Sequence, residues 1–209
     1  MAELRFFYGT MGSGKSTLAL QIHHNLQRAG QHGLLLTQLD RVESAVSSRL
    51  GVAQPAIEVR PELDLCQLAS SVRREVGPLH HLICDEAQFY TPRQIDQLAE
   101  LVDDDDVEVY AFGLLTDFRG RLFDGSARLL ELADERTELR VEARCWCRRP
   151  ATHNARLVDG VQVYEGETVV VGDTAEADAP LFGDSVSYEL LCRRHYRAGL
   201  TSPARPAGA

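Results

Sequence analysis

Three groups of residues in this chain have types and spacings that can do chemistry. The first is Gly9-Thr10-Met11-Gly12-Ser13-Gly14-Lys15-Ser16, which fits the pattern G-x-x-x-x-G-K-[ST]. Glycines in such a loop let backbone amides turn toward an anion, and the N-terminus of a following helix adds partial positive charge. A turn alone would account for the glycines but not for a lysine and a hydroxyl at these places. Lys15 is expected on the β- and γ-phosphates of ATP, and Ser16 on Mg2+. The second group is Asp85-Glu86-Ala87-Gln88-Phe89, directly after the apolar run Leu79–Cys84. One acid there can hold the magnesium ion while the next takes a proton from an attacking hydroxyl. We assign Asp85 to the metal and Glu86 to the proton, with Ala87 and Gln88 continuing the nucleotide-contacting segment. The third group pairs Cys145-x-Cys147 with Cys192-x-x-His195, a thiolate and imidazole set suited to a closed, structural Zn2+ site. The tight first pair departs from the usual spacing of two to four residues.

These groups need elements to position them. Leu4–Tyr8 reads as a buried strand stopping at Gly9, and Leu18, Ile22 and Leu26 recur at helical spacing until Gly30. Leu34–Leu36 gives a second strand, and Asp40 to Gln54 an irregular or partly helical connection. Leu65, Leu68, Ala69, Val72 and Val76 repeat as a helix ending at Gly77-Pro78, before the strand Leu79–Cys84. Thr91-Pro92-Arg93-Gln94 carries a capping-box pattern with proline at the first helical position. A strand Val107–Phe112, a helix around Ala127–Ala133 and a strand Leu139–Ala143 follow. Alternation of strands and helices predicts an α/β fold of the P-loop NTPase kind, a mainly parallel sheet with helices on both faces. After residue 143 the texture changes to clustered cysteines, a hairpin-like pair of runs from Ala155 to Val171, and an Ala/Asp/Pro/Gly-rich loop from Asp173 to Asp184. We therefore expect a P-loop domain over 1–143, a small zinc-binding module over 144–199, and a disordered tail over 200–209.

Composition narrows the function classes. The 209 residues are 44% hydrophobic and 25% charged, ordinary values for a soluble globular chain. A net charge of -9 argues against duplex nucleic acid as a partner. No apolar run approaches the roughly 18 residues of a membrane span, so no membrane partner and a cytoplasmic location are expected. Cys66 and Cys84 sit in apolar stretches and read as core. His23, His24, His80 and His81 show no ligand spacing and read as helix-face or strand-end residues. Asp103–Asp106 reads as a solvated turn. Three readings follow from the residues: a kinase for a small molecule, a P-loop ATPase or switch protein acting on a macromolecular partner, or a nucleotide-binding structural protein without turnover.

The order of motifs resembles the thymidine kinases of the P-loop, zinc-containing type. The resemblance runs from Phe6 to His195 and rests on Gly-Thr-Met-Gly-Ser-Gly-Lys-Ser-Thr at 9–17, Asp-Glu-Ala-Gln-Phe at 85–89, Gly-Leu-Leu-Thr-Asp-Phe-Arg-Gly at 113–120 and Cys-Arg-Arg-His-Tyr at 192–196. It implies transfer of the ATP γ-phosphate to the 5′-hydroxyl of thymidine, with Glu86 matching the catalytic acid and base, and a homotetramer. It also implies a thymidine pocket closed by a lasso-like loop of the zinc module. Met11, Phe89, Leu114, Phe118 and Phe123 match pocket positions, and Tyr188 matches a base-contacting tyrosine; Leu114 alone would also read as ordinary core. Three departures stand out. Arg144 occupies the place where many members have the first cysteine, the segment Asp173–Ser187 is longer than the usual turn, and Asn154 replaces a common threonine.

Overall fold

The structure, a computed structural model, describes residues 1–38, 45–47, 53–139, 142–168 and 186–203, apart from the side chains of 45, 47 and 53. The expected loop Asp173–Asp184 and the end of the expected tail lie outside the described residues. The chain divides into two compact units, one of Met1–Leu115 with Leu122–Val141, the other of Thr116–Arg121 with Glu142–Ala209.

The first unit opens with β1 (Leu4–Tyr8), α1 (Lys15–Arg28) and β2 (Gly33–Thr37), as the periodicity requires. Next come the short strands β3 (Ala45–Ser47), β4 (Ala53–Pro55) and β5 (Ile57–Glu58), then α2 (Leu65–Glu75), β6 (His81–Cys84), a 3-10 turn Ala87–Phe89, α3 (Pro92–Asp105), β7 (Glu108–Gly113), α4 (Asp124–Leu132) and β8 (Glu135–Glu138). Six strands form one sheet in the order β5-β2-β6-β7-β1-β8, and every pairing in it is parallel.

Side chains alternate along these strands and so feed two cores. Leu4 and Phe6 of β1, Leu82 of β6 and Val109 of β7 meet Leu65 of α2, Ile95 and Leu98 of α3 and Leu129 of α4. The intervening residues Leu35, Ile83 and Phe112 meet Ala19 and Leu20 of α1 on the other face. Burying each such large side chain contributes about 1.5–3 kcal/mol, which fixes the register of the strands. Helix ends follow local chemistry. Asp64 accepts from the amide of Gln67 at 2.9 Å, and the Thr91 capping box is complete, with both of its hydrogen bonds formed. Asp103–Asp105 complete the last turn of α3, and Asp106 closes it in the left-handed conformation.

One expectation for this unit needs correction. Among the described residues its last strand is Glu135–Glu138, four positions before the start of the expected Leu139–Ala143, of which residues 140 and 141 lie outside the described residues. Among the described residues it pairs only with β1, at the rim of the sheet, and it shows polar, mostly exposed side chains, so no apolar alternation marks it. Of the expected connection Asp40–Gln54, residues 45–47, 53 and 54 are extended, β3 pairing antiparallel with β4, and the rest lies outside the described residues.

The second unit holds β9 (His153–Val158), β10 (Val161–Val163), β11 (Val186–Leu191) and α5 (Arg193–Ala198). Asp159 and Gly160, both at positive φ, make the two-residue turn between β9 and β10, and β11 pairs antiparallel with β9 on the other side. Its apolar cluster consists of Cys145, Ala155, Leu191, Cys192 and Tyr196, with Cys147 packed against it.

Candidate active site and metal centre

Parallel pairing puts the C-terminal ends of β1, β6 and β7 at one edge of the sheet, with β7 between the other two. Gly9, Asp85 and Leu114 leave those three ends, so the phosphate loop and the acid pair flank the end of one strand. Gly14 precedes α1 at φ 81, a conformation that a side chain would strain, and it turns the loop into the helix. Lys15 is 8% exposed and curls back over the loop, its Nζ donating to the Thr10 carbonyl at 2.9 Å and to Ser13 Oγ at 3.4 Å.

Asp85 is buried, and its carboxylate accepts from the Ser16 hydroxyl and, at 3.0 Å, from the amide of Glu86. Burial and the neighbouring Glu86 push its pKa up to about 7, while Ser16, that amide and Lys15 pull the other way. A carboxylate so placed regains its charge when a cation arrives. With the Ser16 hydroxyl it offers the oxygen donors that a hard ion such as Mg2+ takes.

Glu86 is half-buried and sits at φ 52, a left-handed conformation that costs a non-glycine residue energy. Its carboxylate is held by Gln88, whose Nε2 donates to Glu86 Oε2 at 2.5 Å while its Oε1 accepts from the Leu114 amide at 2.9 Å. Gln88 is 2% exposed, so it fastens the acid to the end of β7 in a dry setting. The rings of Phe89 and Phe123 meet edge to face at 5.3 Å in the same unit. Leu114 is buried, and Met11 stands half-buried in the turn of the loop. The structure thus brings Lys15, Ser16, Asp85, Glu86, Gln88 and Leu114 into one connected neighbourhood.

Phe118 and Tyr188 belong to the second unit. They are brought together by Arg156, which the motifs did not flag. Its guanidinium lies 3.8 Å from the centre of the Phe118 ring, and its Nε donates to the Tyr188 hydroxyl at 2.9 Å. Nη1 donates to the Glu167 carbonyl at 2.6 Å, and Nη2 to that of Thr168 at 3.3 Å. No motif marks it: it is an arginine at an inward position of β9, two residues after Asn154, and both side chains are buried.

The four expected zinc ligands converge. Their donor atoms all lie within 4.8 Å of one another, Cys147 Sγ 3.9 Å from Cys192 Sγ and Cys145 Sγ 3.3 Å from His195 Nδ1. A tetrahedral ion with Zn–S bonds of about 2.3 Å separates its ligands by roughly 3.8 Å, so the set fits zinc. The amide of His195 is the largest influence holding the Cys192 thiol low, which favours the thiolate a metal needs. Trp146, between the two cysteines of the first pair, stacks flat on the His195 ring at 4.2 Å.

Comparison with known proteins agrees with this geometry. The profile of the family described as thymidine kinase matches residues 2–196. The chain belongs to the thymidine kinase family. Among its relatives, the thymidine kinase of Streptomyces coelicolor is 53% identical over 210 residues, spanning 100% of this chain and 95% of that one. The thymidine kinase of Cutibacterium acnes is 52% identical, covering 96% of this chain and 91% of its own. That of Rhodopirellula baltica is 38% identical, with 96% and 90% covered. These matches run through both units, so family membership extends to the Cys/His module as well as to the phosphate loop. Among the described residues no helix is long and apolar enough to cross a membrane.

Proposed function

We propose that this thymidine kinase family member transfers the γ-phosphate of ATP to the 5′-hydroxyl of thymidine, giving dTMP and ADP. The observation that carries the reading is the hydrogen bond from Ser16 to Asp85, with Lys15 acting on the same carboxylate and Glu86 next in the chain. It joins the phosphate cradle to the acid pair across the end of β7. The loop amides and Lys15 bind and orient the triphosphate, and Ser16 and Asp85 hold the metal. When bound, Mg2+ neutralises charge that develops on the β- and γ-oxygens.

Glu86 accepts the proton of the attacking hydroxyl. Gln88 occupies Oε2 and leaves Oε1 for that task. Phe89, Phe123, Leu114 and Met11 supply apolar wall in the first unit, and Phe118 and Tyr188 supply nucleoside contacts from the second. Zinc at Cys145, Cys147, Cys192 and His195 is structural, with all four positions taken by protein. In this reading the first unit is the ATP-binding domain and the second closes the nucleoside site. We further propose a cytoplasmic homotetramer.

The test is acceptor dependence. Purified protein with Mg2+ and ATP should release ADP rapidly only when thymidine is present, and Glu86→Gln should abolish transfer while ATP still binds. Equal ADP release without a nucleoside would instead support an ATPase or switch protein.

A further inference from the structure

The second unit carries a groove of about 870 Å³ whose lining includes Arg149, Arg193, Arg194 and Arg197 together with Thr152 and His153. Arg193, Arg194 and Arg197 come from α5, where positions 193 and 197 stack one turn apart, and Arg149 comes from the loop before β9. Among the described residues none of these four guanidinium groups is in an ion pair. No carboxylate is among the residues that line the groove. The chain has 31 acidic residues for 22 basic ones, so acids were available to neutralise the groove. Like charges one helical turn apart cost stability. Burial first, and then Arg193, hold the His153 pKa low. A zinc ion bound by three thiolates and an imidazole would carry a net single negative charge behind Cys192, which offsets only part of this field.

We propose that this groove is a binding site for a small polyphosphate anion. Guanidinium forks match phosphate oxygens in pairs, and four of them match the charge of a triphosphate. The volume lies in the range of small-molecule pockets and exceeds what a single phosphate needs. The site is separate in sequence from the phosphate loop, and the proposal stands independently of the transfer reaction.

The test uses the full, zinc-loaded chain carrying Lys15→Ala, which removes the phosphate loop's own hold on a triphosphate. Isothermal titration with inorganic tripolyphosphate should reveal one site. Adding Arg193→Gln and Arg197→Gln should weaken it about tenfold or more, as loss of charge-assisted hydrogen bonds requires. Zinc content, measured by elemental analysis, should stay unchanged. Should the double change release zinc, Arg149→Gln, outside α5, decides by the same fall. A parallel titration with ATP separates the sources: tighter binding than tripolyphosphate identifies a nucleotide, and equal binding the phosphate chain alone. No heat with tripolyphosphate, an affinity indifferent to the glutamines, or tighter binding of a single-stranded oligonucleotide would each overturn the proposal.

Discussion

Acid should destabilise the first unit through one buried pair of imidazoles. His81, the first residue of β6, is 0% exposed, and its Nε2 lies 3.0 Å from Nδ1 of His23 on α1. The pair fits because residue 33 is glycine, since a Cβ there would stand 2.2 Å from His81 Nε2. Burial first, and then His23, His80 and His32, push His81 down to about 4. Burial, His24 and His32 lower His23 as well. The charged neighbours that act on the pair are thus other histidines, and none can stabilise a proton on it. In the unfolded chain a histidine titrates near 6.5, so the unfolded state binds protons more readily, and stability is full above about pH 6.5 and falls toward pH 4. A drop from 6.5 to about 4 makes the loss about 2 kcal/mol at pH 5 and about 3 kcal/mol at pH 4. Urea unfolding followed by far-UV ellipticity at pH 8 and pH 5 measures it, as a fall in midpoint of about 1 M for a typical urea dependence. Carboxylates also titrate in this window, so the comparison is with His81→Val, which keeps a strand-forming apolar residue but cannot charge. The variant should lose about 2 kcal/mol less between the two pH values. Equal losses in the two proteins would refute the reasoning.

Other perturbations test the site. Gln88→Ala strips Glu86 of its hydrogen bond and leaves the Leu114 amide without a partner, so it should cost about 2–4 kcal/mol of stability, checked by thermal melts, and lower kcat more than it raises the KM for ATP. Arg156→Met keeps the aliphatic stem but loses the bonds to Tyr188, Glu167 and Thr168, and should raise the KM for thymidine about tenfold with the KM for ATP unchanged in steady-state assays. Thr91→Ala removes a cap and should lower stability by about 1 kcal/mol in urea titrations without touching kcat. Stripping zinc with a chelator should unfold the second unit, because the apolar cluster Cys145, Ala155, Leu191, Cys192 and Tyr196 is too small to hold it, and the loss of hydrogen-exchange protection in β9 and β11 would report this.

How much of this was legible in the sequence depended on how local the signal was. The phosphate loop, the acids after β6 and the capping box at Thr91 are written in adjacent residues, and the structure bears out their local form. The convergence of Cys145, Cys147, Cys192 and His195 was readable although the pairs lie far apart, because thiols and imidazole in clusters have few other uses. Edge strand β8 was placed four residues late, since a strand with one partner needs no apolar stripe. The histidines at 23 and 81 read as helix-face and strand-end residues without a partner pattern, and only folding shows that they meet inside. Arg156 escaped for a similar reason: its partners are two carbonyls, a phenol and a ring, none of which leaves a charge pattern.

The chain has a single tryptophan, and it lies against the imidazole of His195. Tryptophan emission, excited where tyrosine does not absorb, is therefore a private optical channel for the second unit, silent about the six-stranded sheet. Recording it beside helix ellipticity during one denaturation gives two independent midpoints, and their separation or coincidence reads out how far the two units share a single melting event.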